Sequence, residues 1–294
     1  MTNQENNTNE TIITADIFNA NSITITEPKK SKKGGKTSIK SYLLHDVDGD
    51  DVTMFVETPC ALQTPFGVNC YQKGDSGSSD YSINVSARVQ NKEEQKAVDA
   101  WFDQWKAIDE KMIDFGIEHS KDIFGKKYTE KQRAVVEALY SKCVKQDDAG
   151  EYPARLAPKI QRVRVKEGDG KDAKWNPTDK PDVMVFKQVG GDIEEIEYEN
   201  FDPLVSDCPA GSSVQLIIQP RIWFISGKFG LSLNVVQMQI IPSKAVKKPK
   251  KYAFSKGPSP KSNDGGDEDD TEESASADES GEEVEDSEEE EEQE

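Results

Sequence analysis

Most of the chain alternates apolar and polar positions, and one long stretch switches to a helical period. In residues 81–89 (YSINVSARV), Tyr81, Ile83, Val85, Ala87 and Val89 share one side and Ser82, Asn84, Ser86 and Arg88 the other, as in a half-buried strand. Residues 39–45 (IKSYLLH) and 52–57 (VTMFVE) are shorter strand runs, and Asp48-Gly49 between them predicts a hairpin turn. The period then changes. Asn91 with Glu94 three residues on opens a helix, in which Val98, Trp101, Phe102, Trp105, Ile108 and Met112 fall on one face. A second helix starts at Thr129, with Gln132 as its capping partner and Val136, Leu139, Tyr140 and Cys143 as its apolar side. This spacing assigns Trp101 and Trp105 to the core.

Strands resume at 159–166 (KIQRVRVK) and, after a Trp175-Asn-Pro loop, at 182–188 (DVMVFKQ). The strongest β signal is a pair of runs, 214–225 and 229–241, joined by a Ser226-Gly227-Lys228 turn. In the last run Phe229, Leu231, Leu233 and Val235 alternate, and Val236, Met238 and Ile240 continue in the opposite phase. An unbroken change of phase is the signature of a β-bulge, which bends sheets towards barrels. Strands, a helical insertion over 91–150, then more strands predict a mainly β fold, an OB-fold-like five-stranded barrel over 38–242.

Charge changes the picture at the ends. The chain has 294 residues and a formal charge of −19, yet residues 262–294 alone hold 19 acids and no base. The rest is neutral, with 37 acidic and 37 basic residues, so the low pI describes the tail. Residues 1–37 read as a disordered arm that ends basic, 243–261 as a basic linker, and 262–294 as a disordered acidic tail, because none can bury enough apolar surface to offset chain entropy. Lys247-Lys-Pro-Lys-Lys251 has the form of a nuclear localisation signal, and Ser276, Ser280 and Ser287 each precede a Glu by three residues, as an acidophilic kinase requires. Without an apolar run of membrane-spanning length or a secretory start, the expected setting is intracellular, with no membrane partner.

Catalytic chemistry finds little material. Cys60, Cys70, Cys143 and Cys208 are widely separated, and His45 and His119 are the only histidines, so reduced thiols and no metal are expected. The 46–51 acidic cluster lacks the flanking helices of an EF-hand, and no phosphate-binding glycine motif occurs. The reading is a protein that is not an enzyme and has no cofactor.

Single-strand nucleic-acid binders combine cations along a groove with rings on which bases stack. Both types occur together here. Lys159, Arg162 and Arg164 load one strand ahead of Trp175, while Arg221, Trp223, Lys228 and Phe229 cluster in the long hairpin. Alternation puts Arg221 and Trp223 on one face and Ile222 and Phe224 on the other, making Trp223 the stacking candidate and Phe224 a core residue. The tail, with Asp267, Glu268, Asp269, Asp270, Glu288, Glu289, Glu290, Glu291 and Glu292, imitates a nucleic-acid backbone in charge and would compete with one at high effective concentration.

Residues 222–240 (IWFISGKFGLSLNVVQMQI), with the order of barrel, basic linker and acidic tail, resemble the single-stranded-DNA-binding proteins related to those of T-seven-like phages. The branch they are most similar to is the one found in nucleocytoplasmic large DNA viruses. The resemblance implies an OB-fold, sequence-tolerant binding of single-stranded DNA in viral replication and recombination, and a tail that contacts a polymerase, helicase or primase. It also implies a host nucleus or viral factory as the location. The phage tails end in an aromatic residue, whereas this one ends Gln293-Glu294 and contains none, which leaves charge as its docking chemistry. The insertion 91–150 is long for a minimal OB-fold and is a candidate homodimer or partner surface. The competing reading is an acidic-tailed histone or basic-protein chaperone.

Overall fold

The computed structural model describes residues 11–33, 36–72, 79–147, 149–168, 174–189 and 191–241. The basic linker from residue 243 and the acidic tail therefore lie outside the described residues.

In chain order the strands are β1 (Ile12–Ile13), β2 (Ile23–Ile25), β3 (Lys29–Lys33), β4 (Lys36–Lys40), β5 (Leu43–Val47), β6 (Asp50–Thr53), β7 (Phe55–Glu57), β8 (Leu62–Thr64), β9 (Val68–Gln72), β10 (Ser79–Ile83) and β11 (Val85–Ser86). Helices α1 (Lys92–Glu118), α2 (Ser120–Phe124) and α3 (Arg133–Leu139) follow, then β12 (Tyr140–Ser141), β13 (Arg155–Leu156), β14 (Lys159–Ile160), β15 (Arg162–Glu167), β16 (Lys174–Pro181), β17 (Met184–Val189) and β18 (Asp192–Ile196). Helix α4 (Phe201–Asp207) leads into β19 (Ser212–Ile225) and β20 (Lys228–Ile241).

The 14-residue strands β19 and β20 form the axis of the main sheet, whose order is β1-β7-β19-β20-β14-β10-β9. Their two-residue turn, Ser226-Gly227, has positive φ at both positions (51° and 76°), the geometry that matches strand twist. The expected bulge is present: Ile217 pairs with Gln237 and Ile218 with Val235, leaving Val236 extra. Burial follows the phase change, with Phe229, Leu231, Leu233 and Val235 buried before the bulge and Met238 and Ile240 after it.

The sheet does not close into the expected five-stranded barrel among the described residues. Three short strands share one edge of β20: β12 at Phe229 and Gly230, β14 at Asn234, and β17 from Gln237 to Ile240. Partners change across the bulge at Val236, so the edge forks and no single strand runs along it to complete a ring.

The N-terminal residues also depart from expectation. From residue 11 onward the segment is built into the domain. Ile13, Phe18, Ala20 and Ile23 are buried, β1 pairs in parallel with β7, and the Phe18 ring lies 5.0 Å from Trp105 and 6.3 Å from Trp101. A few apolar residues suffice because they seal the exposed side of α1, where Ala20 N donates to Gln104 Oε1 at 2.8 Å and Lys111 Nζ to the Ile23 carbonyl at 3.3 Å.

Helix α1 follows its periodicity. Asn91 caps it by accepting from Glu93 N, and Val98, Trp101, Phe102, Trp105, Ile108 and Met112 are all buried. Buried Asp109 secures the insertion by accepting from Tyr140 OH (2.6 Å), Cys143 N (2.9 Å) and Val144 N (3.1 Å). Burial, reinforced by the Asp109 charge, raises the Tyr140 hydroxyl far above its ordinary value and keeps it a donor. The Asp48-Gly49 turn joins β5 to β6 as expected. Residues 39–45, however, split between β4 and β5, and 52–57 between β6 and β7. All four cysteines are free thiols; Cys143 and Cys208 are buried, whereas Cys70 is exposed on β9.

Candidate nucleic-acid interface

Directly paired residues of adjacent strands project to the same face. The register therefore defines two faces of the β19–β20 hairpin. Towards the core go Phe224 and Phe229, which pair with each other, together with Ile222 and Leu231. On the outer face lie Ile225 opposite Lys228, Trp223 opposite Gly230, Arg221 opposite Ser232, and Gln219 opposite Asn234. Arg221, Trp223 and Lys228 thus share one surface.

Trp223 is half-buried, and its position depends on Gly230. A Cβ on Gly230 would sit 2.9 Å from Trp223 Cζ2 and 2.8 Å from the Ser141 carbonyl oxygen, so the indole rests on bare backbone. Arg221 donates from Nε and Nη2 to Gln219 Oε1 at 2.9 and 2.7 Å, which holds the guanidinium along the strand.

Phe229 belongs to the opposite face. Its ring is fully buried between Tyr140 (5.0 Å) and Phe124 (5.6 Å), against α1 at Gly116. It cannot stack on a base, and its expected role is corrected to packing. Phe224, expected in the core, is parallel to Phe229 at 6.4 Å.

The outer face continues across the sheet. Lys159 pairs with Asn234 on one side and Ser82 on the other, and Ser82 pairs with Asn69, so these residues form a row. Two register steps further along, on the same face, Asp80 pairs with Tyr71, which is 70% exposed. Tyr71 was not among the expected site residues. Its signal lay only in the pairing of β9 with β10, which local alternation does not reveal.

Beyond Lys159 the chain leaves the sheet as the β15–β16 ribbon. Gln161 Nε2 donates to Asn234 Oδ1 at 2.8 Å, joining the ribbon's root to the outer face. On one side of the ribbon lie Arg162, Arg164 opposite Pro177, and Lys166 opposite Trp175. Trp175 is 62% exposed and sits in a strand, where the sequence suggested a loop. Between ribbon and sheet is a cleft of about 520 Å³ lined by Tyr81, Lys159, Gln161, Arg162, Arg164 and Asp179. A second cleft, of about 480 Å³, also includes Gln161 and is bounded by Lys180, Gln219, Arg221 and Asn234, with Glu195 and Glu197 among its lining.

The expected cations therefore form two neighbouring groups that meet at Gln161. Arg162 differs from the others. Its guanidinium donates to the carbonyls of Ser79 (3.2 Å) and Thr178 (3.0 Å), pairs with Asp179, and lies 5.3 Å from the ring centres of both Tyr81 and Phe201. Those rings stack on each other at 3.6 Å. Arg162 is thus a fastening that holds the ribbon on β10, while Lys159 and Arg164 are exposed. The tail carboxylates Asp267 to Asp270 and Glu288 to Glu292 lie outside the described residues.

No protein-family model matches the chain, and no curated protein matches it. Among solved structures it is similar to the single-stranded DNA-binding protein from bacteriophage Enc34 in complex with ssDNA, at 13% identity and a TM-score of 0.30, over 60% of this chain and 82% of that one. It is also similar to gp2.5, a single-stranded DNA binding protein encoded by bacteriophage T7, at 10% identity and a TM-score of 0.35, over 65% of this chain and 95% of that one. Neither likeness is close enough to assign this chain a fold or a family, and neither bears on the large-DNA-virus branch.

Proposed function

We propose that the protein binds single-stranded DNA across the outer face of its main sheet. One observation carries the reading: Lys159, Arg221, Trp223, Lys228 and Tyr71 occupy one sheet face, bordered by a ribbon that presents Arg164, Lys166 and Trp175. Cations at intervals can follow a phosphate backbone, and exposed or half-exposed rings can receive bases without reading their sequence. The Ser262–Glu294 polyanion competes with the strand for these cations and, when displaced, recruits basic surfaces of replication proteins.

The test is a titration of the full chain with oligo-dT, following tryptophan fluorescence. Trp101 and Trp105 are buried, so quenching should come from Trp223 and Trp175. Trp223→Phe and Trp175→Phe should each remove part of the signal. An unchanged signal in both variants, or no binding by the full chain, rejects this placement. A chain ending at Lys261 should bind more tightly than the full one; equal affinity rejects competition by the tail.

A further inference from the structure

The outer face makes no use of the six lysines in residues 29–40, which lie in an acid-free run from Pro28 to Leu44. These lysines fall in the β3–β4 ribbon, a separate two-stranded sheet. Its register places Lys29 opposite Lys40 and Ser31 opposite Ser38 on one face and Lys30 opposite Ile39 on the other, and pairs Lys33 with Lys36 and Lys32 with Thr37. The second face is committed to the protein: Lys30 Nζ is 3.0 Å from Asp122 Oδ1, and Ile39 is half-buried. The register thus sets two lysine pairs, Lys29–Lys40 and Lys33–Lys36, directly across the ribbon, and Lys29 and Lys40 are exposed.

Like charges directly opposite on a two-stranded ribbon weaken it. This arrangement is stabilised when an anion with repeated charges lies along it. The Ser31 and Ser38 hydroxyls, 2.7 Å apart between the lysine pairs, add donors for phosphate oxygens. The ribbon is also well situated. Asp122, which holds Lys30, is two residues from Phe124, whose ring packs on Phe229 next to Lys228. The ribbon's root is therefore near the end of the β19–β20 hairpin, where Lys228 and Ile225 are exposed.

We infer that the β3–β4 ribbon is a second phosphate-binding element, which grips the backbone of a DNA strand as it leaves the outer face past Lys228. The inference rests on the single-strand reading above. Its test is the salt dependence of oligo-dT binding by the full chain and by a K29Q/K33Q/K36Q/K40Q variant. Each lost phosphate contact lowers the log–log slope by about 0.7, so a fall of about 2 to 3 is expected, with roughly tenfold weaker binding at low salt. K30Q, on the opposite face, should leave the slope unchanged, and the four corresponding Lys→Arg replacements should restore it. An unchanged slope in the quadruple variant overturns the inference and leaves the outer-face reading intact, whereas failure of the unaltered chain to bind oligo-dT removes both. Should the quadruple variant not fold, acetylation footprinting of the unaltered chain decides the matter. Bound oligo-dT should protect Lys29 and Lys40, and equal labelling with and without DNA refutes the proposal.

Discussion

The two faces of the β19–β20 hairpin carry the same residue classes put to different uses. On the inner face, aromatic rings are enclosed: Phe229 touches Phe124, Tyr140 and Phe224 beneath α1. On the outer face, Trp223 lies over Gly230 with Arg221 and Lys228 on either side along the hairpin. An aromatic residue in a strand is thus core or contact surface according to its register partner. Phe229 pairs with Phe224, and Trp223 pairs with glycine.

This contrast can be broken most forcefully from the inside. Phe229→Ala should cost about 3–5 kcal/mol of folding stability by leaving a cavity below α1. Denaturant unfolding would measure the loss. Trp223→Ala should barely change that unfolding curve while weakening oligo-dT binding by about 1–3 kcal/mol, roughly 5- to 150-fold. If Trp223→Ala instead destabilised the fold as much as Phe229→Ala, the division between faces would be wrong.

A finer probe is Gly230→Ala, whose methyl must displace the Trp223 ring or the Ser141 backbone. The expected result is a shift in tryptophan emission and an affinity between those of the unaltered chain and Trp223→Ala. Unaltered emission and affinity would show that the indole does not depend on this glycine.

The smallest effect is a control outside the hairpin. Burial holds the His45 imidazole below its ordinary value, and its Nδ1 has no hydrogen-bond partner among the described residues. The unfolded chain therefore takes up this proton more readily, and stability should decline as pH falls below about 6.5, levelling off once the folded imidazole is protonated. Thermal melts of His45→Gln should lose that part of the pH dependence. An identical pH profile in the variant would assign the titration elsewhere.

Periodicity in the amino-acid sequence determined α1, the Asp48-Gly49 turn, the long hairpin and its bulge, because each depends on contacts between near neighbours. The opposed sides of Trp223 and Phe224 were legible for the same reason. Phe229 was misread through the turn. Counting Lys228 as a turn residue hid the two-residue connection, and only that connection makes 224 the partner of 229. Tertiary structure alone decided the rest: Phe18 reaching Trp101 and Trp105, the sharing of β20's edge among β12, β14 and β17, and Tyr71 joining the row that begins at Lys159. These contacts link residues distant in sequence, so no local pattern encodes them. They arise because apolar surface and strand edges must find partners wherever the folded chain provides them.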